Sequence, residues 1–328
     1  MKTFRKDIWE NGEYNYPAAY GFLPNIRAYL HEDEDIHDCM LVVPGGGYCM
    51  VVSSEAFIIA KEFYDRGMNA FVLTYTTDIT MSVPLKSQPL EDISRAVRVI
   101  RKNSTEYGID ENRLFICGFS AGSHVCGSLC VHYDDVKEKN DTYVSYSNRP
   151  DAAILSYPVI TAGEYTHIYS IQALLGKNPT KEELDYYSVE KNVTPDTPPC
   201  FIWQTQNDDA VPVENSYFMA QALRKNGVYF AHHVFQHGFH GLSFGSEDFF
   251  KGNFGEEYTY EQLHLAIENV KNNTAVNVSK ERHDELMEQF FGENSQMSPE
   301  HPEADPVEEF KDVTMWLELA YHFLKTLK

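Results

Sequence analysis

Short apolar runs alternate along this chain with longer segments in which apolar residues recur at helical spacing. The apolar runs predict strands at residues 39–43, 69–75, 114–117, 152–158, 199–204 and 229–235. The segments between them predict helices at 56–67, 89–107 and 213–227, and a helix with little polar surface at 121–132. This alternation is typical of right-handed βαβ units, so we predict an α/β fold with a mostly parallel central sheet and helices on both faces.

The two ends of the chain depart from this pattern. Residues 1–30 are aromatic and irregular, with a possible edge strand at 26–30, and residues 161–195 are polar with a short helix at 180–187. Residues 245–303 form an acidic insertion with helices at 260–272 and 280–291. An amphipathic helix at 305–327 closes the chain. We therefore predict one domain over 1–328, in which residues 245–303 act as a lid, a specificity segment or an interface.

Composition and charge narrow the possible partners. The 328 residues are 43% hydrophobic, which supplies a sizeable core, and 27 Lys and Arg against 49 Asp and Glu give a net charge of −22. Such a charge repels nucleic acids and anionic membranes and suits a neutral or cationic small-molecule substrate. No apolar segment reaches signal-peptide or membrane-spanning length, and the six cysteines lack Cys-x-x-Cys spacing. Reduced thiols and a cytoplasmic location are expected, and a homo-oligomer is possible.

The strand at 114–117 leads directly into the sequence Gly118-Phe119-Ser120-Ala121-Gly122. A G-x-S-x-G pattern between a buried strand and a helix is typical of a nucleophile elbow, in which a strained turn exposes the serine hydroxyl. Alternatively, Ser120 only caps the following helix in a glycine-rich turn. The catalytic interpretation requires a base, an acid and an oxyanion hole elsewhere in the chain.

A second chemical signal follows the strand at 39–43, where the sequence is Pro44-Gly45-Gly46-Gly47-Tyr48. Consecutive glycines allow backbone N–H groups to turn toward a developing negative charge. We expect the amides of Gly46 and Gly47, with that of Ala121, to form an oxyanion hole, and Tyr48 to contact substrate. A phosphate-binding loop is disfavoured because no Lys-Ser/Thr and no G-x-G-x-x-G pattern is present. A plain turn remains the other alternative.

Two further strand ends offer an acid and a base. Asp208 and Asp209 follow the strand at 199–204, and adjacent side chains point in different directions, so only one can orient an imidazole; we favour Asp208. His237 and His240 lie on the glycine-rich loop after the strand at 229–235. We favour His240 as general base because Gly241 lets its backbone pack closely. The histidines within that strand, His232 and His233, are expected to be structural.

With these residues assembled, the chain resembles the α/β-hydrolase superfamily, and more narrowly the acetyl xylan esterases and the bifunctional acetylxylan/feruloyl esterases. The matching segments are 44–48, 118–124, 208–216 and 239–242, and the order Ser120, Asp208, His240 is that of the α/β-hydrolases. The resemblance implies a serine esterase, without metal or cofactor, that forms an acyl-enzyme and deacetylates small carbohydrates such as xylo-oligosaccharides. Ser123 stands where many relatives have glycine, and segment 245–303 has no counterpart in the family pattern.

Four other functions remain open on the sequence. The substrate could carry a feruloyl or another short-chain acyl group. A serine peptidase of the same fold would cleave peptide amides, and a lipase would prefer long acyl chains. A non-catalytic binding protein on the same scaffold would leave Ser120 unreactive.

Overall fold

One eight-stranded sheet organises the chain, whose computed structural model describes residues 1–10, 12–292 and 306–327. Its strands are β1 (Lys2–Asp7), β2 (Asn25–Leu30), β3 (His37–Val43), β4 (Asn69–Thr74), β5 (Ile109–Phe119), β6 (Ala152–Ser156), β7 (Cys200–Thr205) and β8 (Phe230–Phe235). They lie in the order β1-β2-β4-β3-β5-β6-β7-β8. The strands from β4 to β8 pair in parallel, whereas β1 and β2 are antiparallel to their neighbours.

The described residues form twelve α-helices that connect or cover these strands. They are α1 (Phe57–Asp65), α2 (Gln88–Lys102), α3 (Ser104–Tyr107), α4 (Ala121–His132), α5 (Ile168–Leu175), α6 (Lys181–Tyr186), α7 (Glu214–Lys225), α8 (Glu247–Phe250), α9 (Glu261–Lys271), α10 (Lys280–Phe291), α11 (Pro306–Glu309) and α12 (Met315–Thr326). Within the described ranges, none of them is long and apolar enough to cross a lipid bilayer.

The sheet is buried on both faces, because the side chains of successive strand residues point to opposite sides. On β3, Leu41 and Val43 join the cluster formed with α2, α4 and α7. Met40 and Val42 join the opposite cluster, which contains residues of α1 and α12. The predicted α/β class, with a mostly parallel sheet between two layers of helices, is confirmed.

Several predicted boundaries differ from the observed ones. The segment at 26–30 is not an edge strand, because β2 lies between β1 and β4 and β1 forms the edge. The predicted helix at 89–107 is divided into α2 and α3, and α5 lies in a segment for which only the helix at 180–187 was predicted. The predicted closing helix starts at Asp305, outside the described residues; within them, α11 precedes α12.

The described part of the acidic insertion packs against the same domain. Leu263, Ile267 and Leu286 from α9 and α10 form a small apolar cluster with Ile79, which follows β4. The side chain of Gln262 accepts a hydrogen bond from the backbone N–H of Thr77 at 2.8 Å and donates one to its carbonyl. The insertion therefore supports the loop after β4, while its residues 293–303 lie outside the described part.

Candidate active site

The turn between β5 and α4 holds Ser120 in a sterically disfavoured backbone conformation. Its φ of 51° and ψ of −118° lie outside the regions that a serine ordinarily adopts. Gly122 is required for the close approach of this turn to the end of β3, because a Cβ at that position would lie 2.1 Å from the carbonyl oxygen of Val43. The elbow geometry expected from the sequence is present, and it directs the Ser120 hydroxyl toward the loop after β8.

Three predicted residues from distant parts of the chain meet in a hydrogen-bonded series. The Oγ of Ser120 lies 2.8 Å from Nε2 of His240, and Nδ1 of the same ring lies 2.8 Å from Oδ2 of Asp208. Since a carboxylate only accepts, His240 carries its proton on Nδ1 when neutral, and Nε2 is free to accept the serine proton. The arrangement can thus move a proton from the hydroxyl to the imidazole.

The two neighbouring aspartates contact His240 differently. Asp208 has a side chain that is 1% exposed, and its Oδ1 also accepts the backbone N–H groups of Ala210 and Val211 at 3.0 and 2.8 Å. Asp209 accepts the backbone N–H of His240 at 3.0 Å. Asp208 therefore orients the imidazole ring, as the sequence favoured, whereas Asp209 holds the main chain that carries it.

Charge and burial shift the pKa of His240 in opposite directions. Burial by itself would lower the pKa of His240, but the hydrogen bond and negative charge of Asp208 outweigh it, with smaller contributions from Glu55 and Asp209. The net result is that the pKa of His240 is raised. An imidazolium formed beside Asp208 is therefore stabilised.

The other candidate histidines lie away from Ser120. The ring of His237 is exposed, stacks on Phe310 and bonds to Glu309 at 3.0 Å. His232 bonds to the hydroxyl of Ser216, and His233 stacks on Phe201. Both of the latter belong to β8, in agreement with a structural role.

The glycine loop after β3 contains free amides and begins beside the serine, since a Cβ on Gly45 would lie 2.9 Å from Cβ of Ser120. The backbone passes through positive φ at Gly46 (122°) and Gly47 (63°), and a Cβ on Gly46 would lie 2.3 Å from the carbonyl oxygen of Met50. Among the described residues, the N–H groups of Gly46, Gly47 and Ala121 have no acceptor. These are the three predicted oxyanion-hole donors, and they remain available to bind an external oxygen.

Tyr48 does not lie where substrate contact was expected. Its side chain is 1% exposed, and its hydroxyl bonds to Nδ1 of His124 at 2.7 Å. The Nε2–H of His124 donates to the carbonyl of Tyr187, so Nδ1 accepts the tyrosine proton. Burial lowers the pKa of His124 to about 4. The prediction for Tyr48 missed this buried partner, because nothing in the sequence pairs residues 48 and 124.

A buried carboxyl group that the sequence analysis missed lies behind the glycine loop. Oε2 of Glu55 accepts the backbone N–H of Gly45 at 2.5 Å, and Oε1 accepts the hydroxyl proton of Tyr157 at 2.7 Å. The Tyr157 ring in turn meets the ring of His240 edge-on, with centroids 5.1 Å apart. Burial raises the pKa of Glu55, against the effect of its two hydrogen bonds. An acidic residue directly before an apolar run, Glu55-Ala56-Phe57-Ile58-Ile59, was the available signal.

Ser123, the departure from the family pattern, has a structural function in the elbow. Its hydroxyl donates to the carbonyl of Ser156 and accepts the backbone N–H of the same residue, both at 3.0 Å. Ser156 also accepts the indole N–H of Trp203 at 2.8 Å. The extra hydroxyl therefore joins α4 to the end of β6, which a glycine could not do.

One wall of the site comes from the start of α5. His167 is close enough to feel the charges of His240 and Asp208, and burial together with His240 lowers its pKa. Its Nδ1 bonds to the hydroxyl of Ser170 at 2.8 Å, and that hydroxyl lies 3.9 Å from where a Cβ on Gly47 would be. Next to this pair, Tyr169 is 64% exposed.

The loop that carries His240 is packed from the opposite side by aromatic residues. The ring of Phe239 lies 6.4 Å from that of Phe249 in α8 and 5.6 Å from that of Phe310. Beneath it, Trp316 of α12 donates its indole N–H to the carbonyl of Ser243 at 2.9 Å. The insertion and the closing helix thus fix the loop of the predicted base.

The chain is similar in sequence to a known family and to curated proteins. The family model described as BD-FAE matches residues 28–223. A Butyrivibrio fibrisolvens protein named endo-1,4-beta-xylanase B is 64% identical over 262 residues, covering 80% of this chain and 41% of that protein. An acetylxylan esterase of Xylanibacter ruminicola is 30% identical over 210 residues, covering 62% and 41%. The chain thus spans about two fifths of the length of these curated relatives.

Solved structures give the same result for the fold. The acetyl ester-xyloside bifunctional hydrolase from Caldicellulosiruptor lactoaceticus superimposes with a TM-score of 0.69 at 33% identity, covering 83% of this chain and 97% of that one. The carboxylesterase Cest-2923 from Lactobacillus plantarum superimposes with a TM-score of 0.62 at 23% identity, covering 84% and 99%; at this identity the likeness shows the fold alone. The predicted resemblance to α/β-hydrolases of the acetyl xylan esterase type is confirmed.

Proposed function

Since the chain belongs to the BD-FAE family and has the α/β-hydrolase fold, we propose that it is a serine esterase that removes short acyl groups, chiefly acetyl, from small carbohydrates such as xylo-oligosaccharides. The observation that carries this proposal is the contact of 2.8 Å between Oγ of Ser120 and Nε2 of His240, whose other nitrogen bonds to Asp208.

In the first half of the proposed reaction, the Oγ of Ser120 attacks the ester carbonyl carbon while His240 takes the hydroxyl proton. The carbonyl oxygen becomes an oxyanion and accepts hydrogen bonds from the free amides of Gly46, Gly47 and Ala121. Each such donor stabilises the transition state by about 3 kcal/mol. The carbon–oxygen bond to the sugar then breaks, and the sugar oxygen takes the proton from His240.

In the second half, water attacks the acyl-serine while His240 takes one of its protons. Collapse of the second tetrahedral intermediate breaks the bond to Oγ, which takes that proton back. The products are the free carboxylic acid and the regenerated serine. Throughout, Asp208 keeps the imidazole in one orientation and offsets its positive charge.

The proposed sugar is supported by the names of the relatives. One solved neighbour is named for acetyl ester and xyloside hydrolysis, and one curated relative is named as an acetylxylan esterase. The relative named as a xylanase is matched over only 41% of its length, so its name describes a much longer protein. An esterase acting on acetylated fragments of xylan accords with all three names.

The test is acetate release from acetylated xylo-oligosaccharides by the unaltered protein and by Ser120→Ala. We expect kcat to fall by at least about 10⁴-fold in the variant. Ser128→Ala is the matched control, because Ser128 is buried in the same helix and its hydroxyl has no partner in the described structure. Unchanged acetate release by Ser120→Ala would contradict the proposal.

Parallel substrates separate the alternatives. Methyl ferulate reports feruloyl esterase activity, a peptide anilide reports peptidase activity, and unsubstituted xylo-oligosaccharides report cleavage of the sugar chain. We expect hydrolysis of p-nitrophenyl acetate without cleavage of the anilide or shortening of the sugar. Failure of a fluorophosphonate probe to label Ser120 would favour a non-catalytic binding protein instead.

A further inference from the structure

The first turn of α5 lies beside the proposed catalytic groups, and the reaction described above gives it no function. The buried hydroxyl of Ser170 lies 3.9 Å from where a Cβ on Gly47 would be, so this turn borders a proposed oxyanion-hole residue. His167, the residue before the helix, is close enough to His240 and Asp208 for their charges to act on its ring. The start of α5 is therefore positioned to contact an ester bound at Ser120.

The proposed reaction decides which part of the ester lies nearest to this turn. The sugar is the leaving group, and its oxygen takes a proton from Nε2 of His240, so the sugar must lie next to that ring. His167 is a neighbour of the same ring. The acetyl group ends one carbon beyond the reacting carbonyl, whereas the sugar is the larger part of the ester and extends away from it. We therefore expect the sugar to meet the start of α5.

His167 has one ring nitrogen that is available to a ligand. Its Nδ1 bonds to Oγ of Ser170 at 2.8 Å. Its Nε2 has no partner among residues 1–10, 12–292 and 306–327, and this nitrogen is not fully buried. Burial and the positive charge of His240 lower the pKa of His167, so its ring is neutral near pH 7.

Either tautomer of this neutral ring can pair with a hydroxyl group. If Ser170 donates to Nδ1 of His167, Nε2 carries the hydrogen and donates; if Nδ1 donates to Ser170, Nε2 accepts. A sugar hydroxyl both donates and accepts, so it satisfies Nε2 in both cases. An acetyl group has no hydroxyl, and a neutral ring offers no charge to an anion. The free nitrogen therefore favours a neutral ligand that carries hydroxyl groups.

Tyr169 provides an apolar surface next to this nitrogen. Its side chain is 64% exposed, and its ring centroid lies 6.1 Å from that of His167. Within the described part of the chain, no other aromatic ring packs against it. Small-molecule sites typically combine aromatic surface with a few polar groups, and an exposed tyrosine ring suits the apolar C–H face of a sugar ring. His167 and Tyr169 together thus offer both kinds of contact.

We propose that the start of α5 is the sugar subsite of this esterase, in which Tyr169 packs against a pyranose ring of the substrate and Nε2 of His167 bonds to one of its hydroxyls. The inference rests on the proposed function and deepens it, because it names the residues that select the alcohol part of the ester. An acetyl ester whose alcohol has neither a ring nor a free hydroxyl, such as ethyl acetate, makes neither contact.

Acetate release from acetylated xylotriose and from ethyl acetate tests the subsite. In Tyr169→Ala we expect the ratio of kcat/KM for the sugar ester to that for ethyl acetate to fall at least about fivefold, chiefly through KM. Tyr169→Trp keeps an aromatic surface and retains the ratio. Tyr217→Ala is the matched control, because Tyr217 is also exposed but its ring contacts His232 of β8. An unchanged ratio in Tyr169→Ala, or an equal loss on both esters, overturns the proposal.

The hydrogen bond to the sugar is tested separately at His167. His167→Phe keeps a ring but removes Nε2, and we expect the same ratio to fall by about threefold to tenfold. His167→Gln can both donate and accept, so it restores part of the loss. Equal ratios in His167→Phe and the unaltered chain would remove His167 from the subsite.

A binding measurement separates the subsite from the proposed chemistry. Calorimetric titration of Ser120→Ala with acetylated xylotriose measures binding without turnover, and adding Tyr169→Ala should raise the dissociation constant at least about fivefold. If the unaltered chain releases no acetate but this weakening is seen, the esterase function is rejected and the subsite is supported. Binding that is absent or independent of Tyr169 overturns the subsite, even where acetate is released.

Discussion

Asp208 and Asp209 are adjacent, but their carboxylates bond to different parts of His240. Asp208 accepts a hydrogen bond from the imidazole, and Asp209 accepts one from the main-chain N–H. The sequence could favour Asp208 only from the order of residues along the chain. It could not assign a function to Asp209, because that function depends on how two loops meet in space.

Replacing each aspartate by asparagine separates the two contributions. In Asp208→Asn the imidazole loses its orienting charge, and we expect kcat to fall by roughly 10³–10⁴-fold. Asp209→Asn keeps an oxygen acceptor for the N–H of His240 and lowers kcat by less than about tenfold. Steady-state kinetics on p-nitrophenyl acetate measures both, and similar losses in the two variants would contradict the assignment.

The pH profile of Asp208→Asn gives a second measurement. The proposed base role of His240 requires a neutral ring, so we expect activity to fall as the pH drops through its pKa, which Asp208 raises against the effect of burial. Glu55, Asp209 and His167 are the other titratable groups acting on this ring. Removing the charge of Asp208 therefore moves the acid limb of kcat/KM to lower pH. A limb that stays in place would show that Asp208 does not set this pKa.

Glu55 is expected to act as a positioning residue. It holds the Gly45 amide and the Tyr157 hydroxyl, and Glu55→Gln leaves one of these donors without a good acceptor. We expect kcat to fall by about 10–100-fold with KM nearly unchanged, and Glu55→Asp to restore part of it. Asp92→Asn is the control, because Asp92 is equally buried but bonds to Thr76 and Trp9. Equal losses of kcat in the two variants would indicate general destabilisation.

At the scale of elements, the strands of the parallel sheet and the helices between them were predictable, because each combines an apolar run or a helical period with local stop signals. β1 and α5 were not. The sequence of β1, Lys2–Asp7, has four charged residues among six and a burial pattern without fully buried positions, as suits an edge strand. Because β1 lacks a regular alternation of apolar residues, it is recognised as a strand only from its pairing with β2.

Helix α4 is fixed by a buried histidine whose protonation would disrupt it. The pKa of His124 falls from 6.5 to about 4 on burial, so the unfolded chain binds a proton that the folded chain does not between these pH values. The free energy of unfolding therefore decreases as the pH falls through this window, by up to about 3 kcal/mol. Urea unfolding at several pH values measures it. His124→Gln should flatten the curve, whereas the exposed His264→Gln should not.

Helix α12 contacts the loop that carries His240 through Trp316. Its ring is fully buried, stacks on Trp203 with centroids 5.2 Å apart, and bonds to Ser243. Trp316→Ala is expected to reduce the free energy of unfolding by about 3–5 kcal/mol, because it leaves a cavity and an unpaired carbonyl. The adjacent Met315 is 56% exposed, so Met315→Ala should change it by less than about 0.5 kcal/mol. Denaturant titration measures the free energy of unfolding of both variants. Similar losses in the two would contradict this function of α12.

At the scale of the whole molecule, the net charge of −22 repels anionic substrates, whereas it has little effect on neutral ones. An acetylated xylo-oligosaccharide that carries a uronic acid should therefore show a KM several-fold higher than its neutral counterpart at low salt. The difference should shrink near about 150 mM ionic strength, where charges are screened beyond about 8 Å. Acetate release at two salt concentrations measures this ratio. A ratio independent of salt would locate the discrimination in short-range contacts instead.

Ser120, Asp208 and His240 lie in contact because each follows the end of a strand, and parallel strands bring those ends together whatever the intervening sequence. The prediction was wrong for Tyr48 and missed Glu55 and His124, all of which depend on buried partners far apart in the chain. The cytoplasmic location, the oligomeric state and the function of segment 245–303 stay predictions.

The reacting groups and the surfaces around them belong to different parts of this molecule. Ser120, Asp208 and His240 each follow a strand of the buried sheet. Gly122 lets the turn at Ser120 pack closely against the end of β3. The neighbouring α5 and α8–α10 lie in connections outside that sheet. Redesign of the proposed esterase for a new sugar ester should therefore begin with α5, because an exchange of α8 would also remove the contact of Phe249 with Phe239, the residue next to His240.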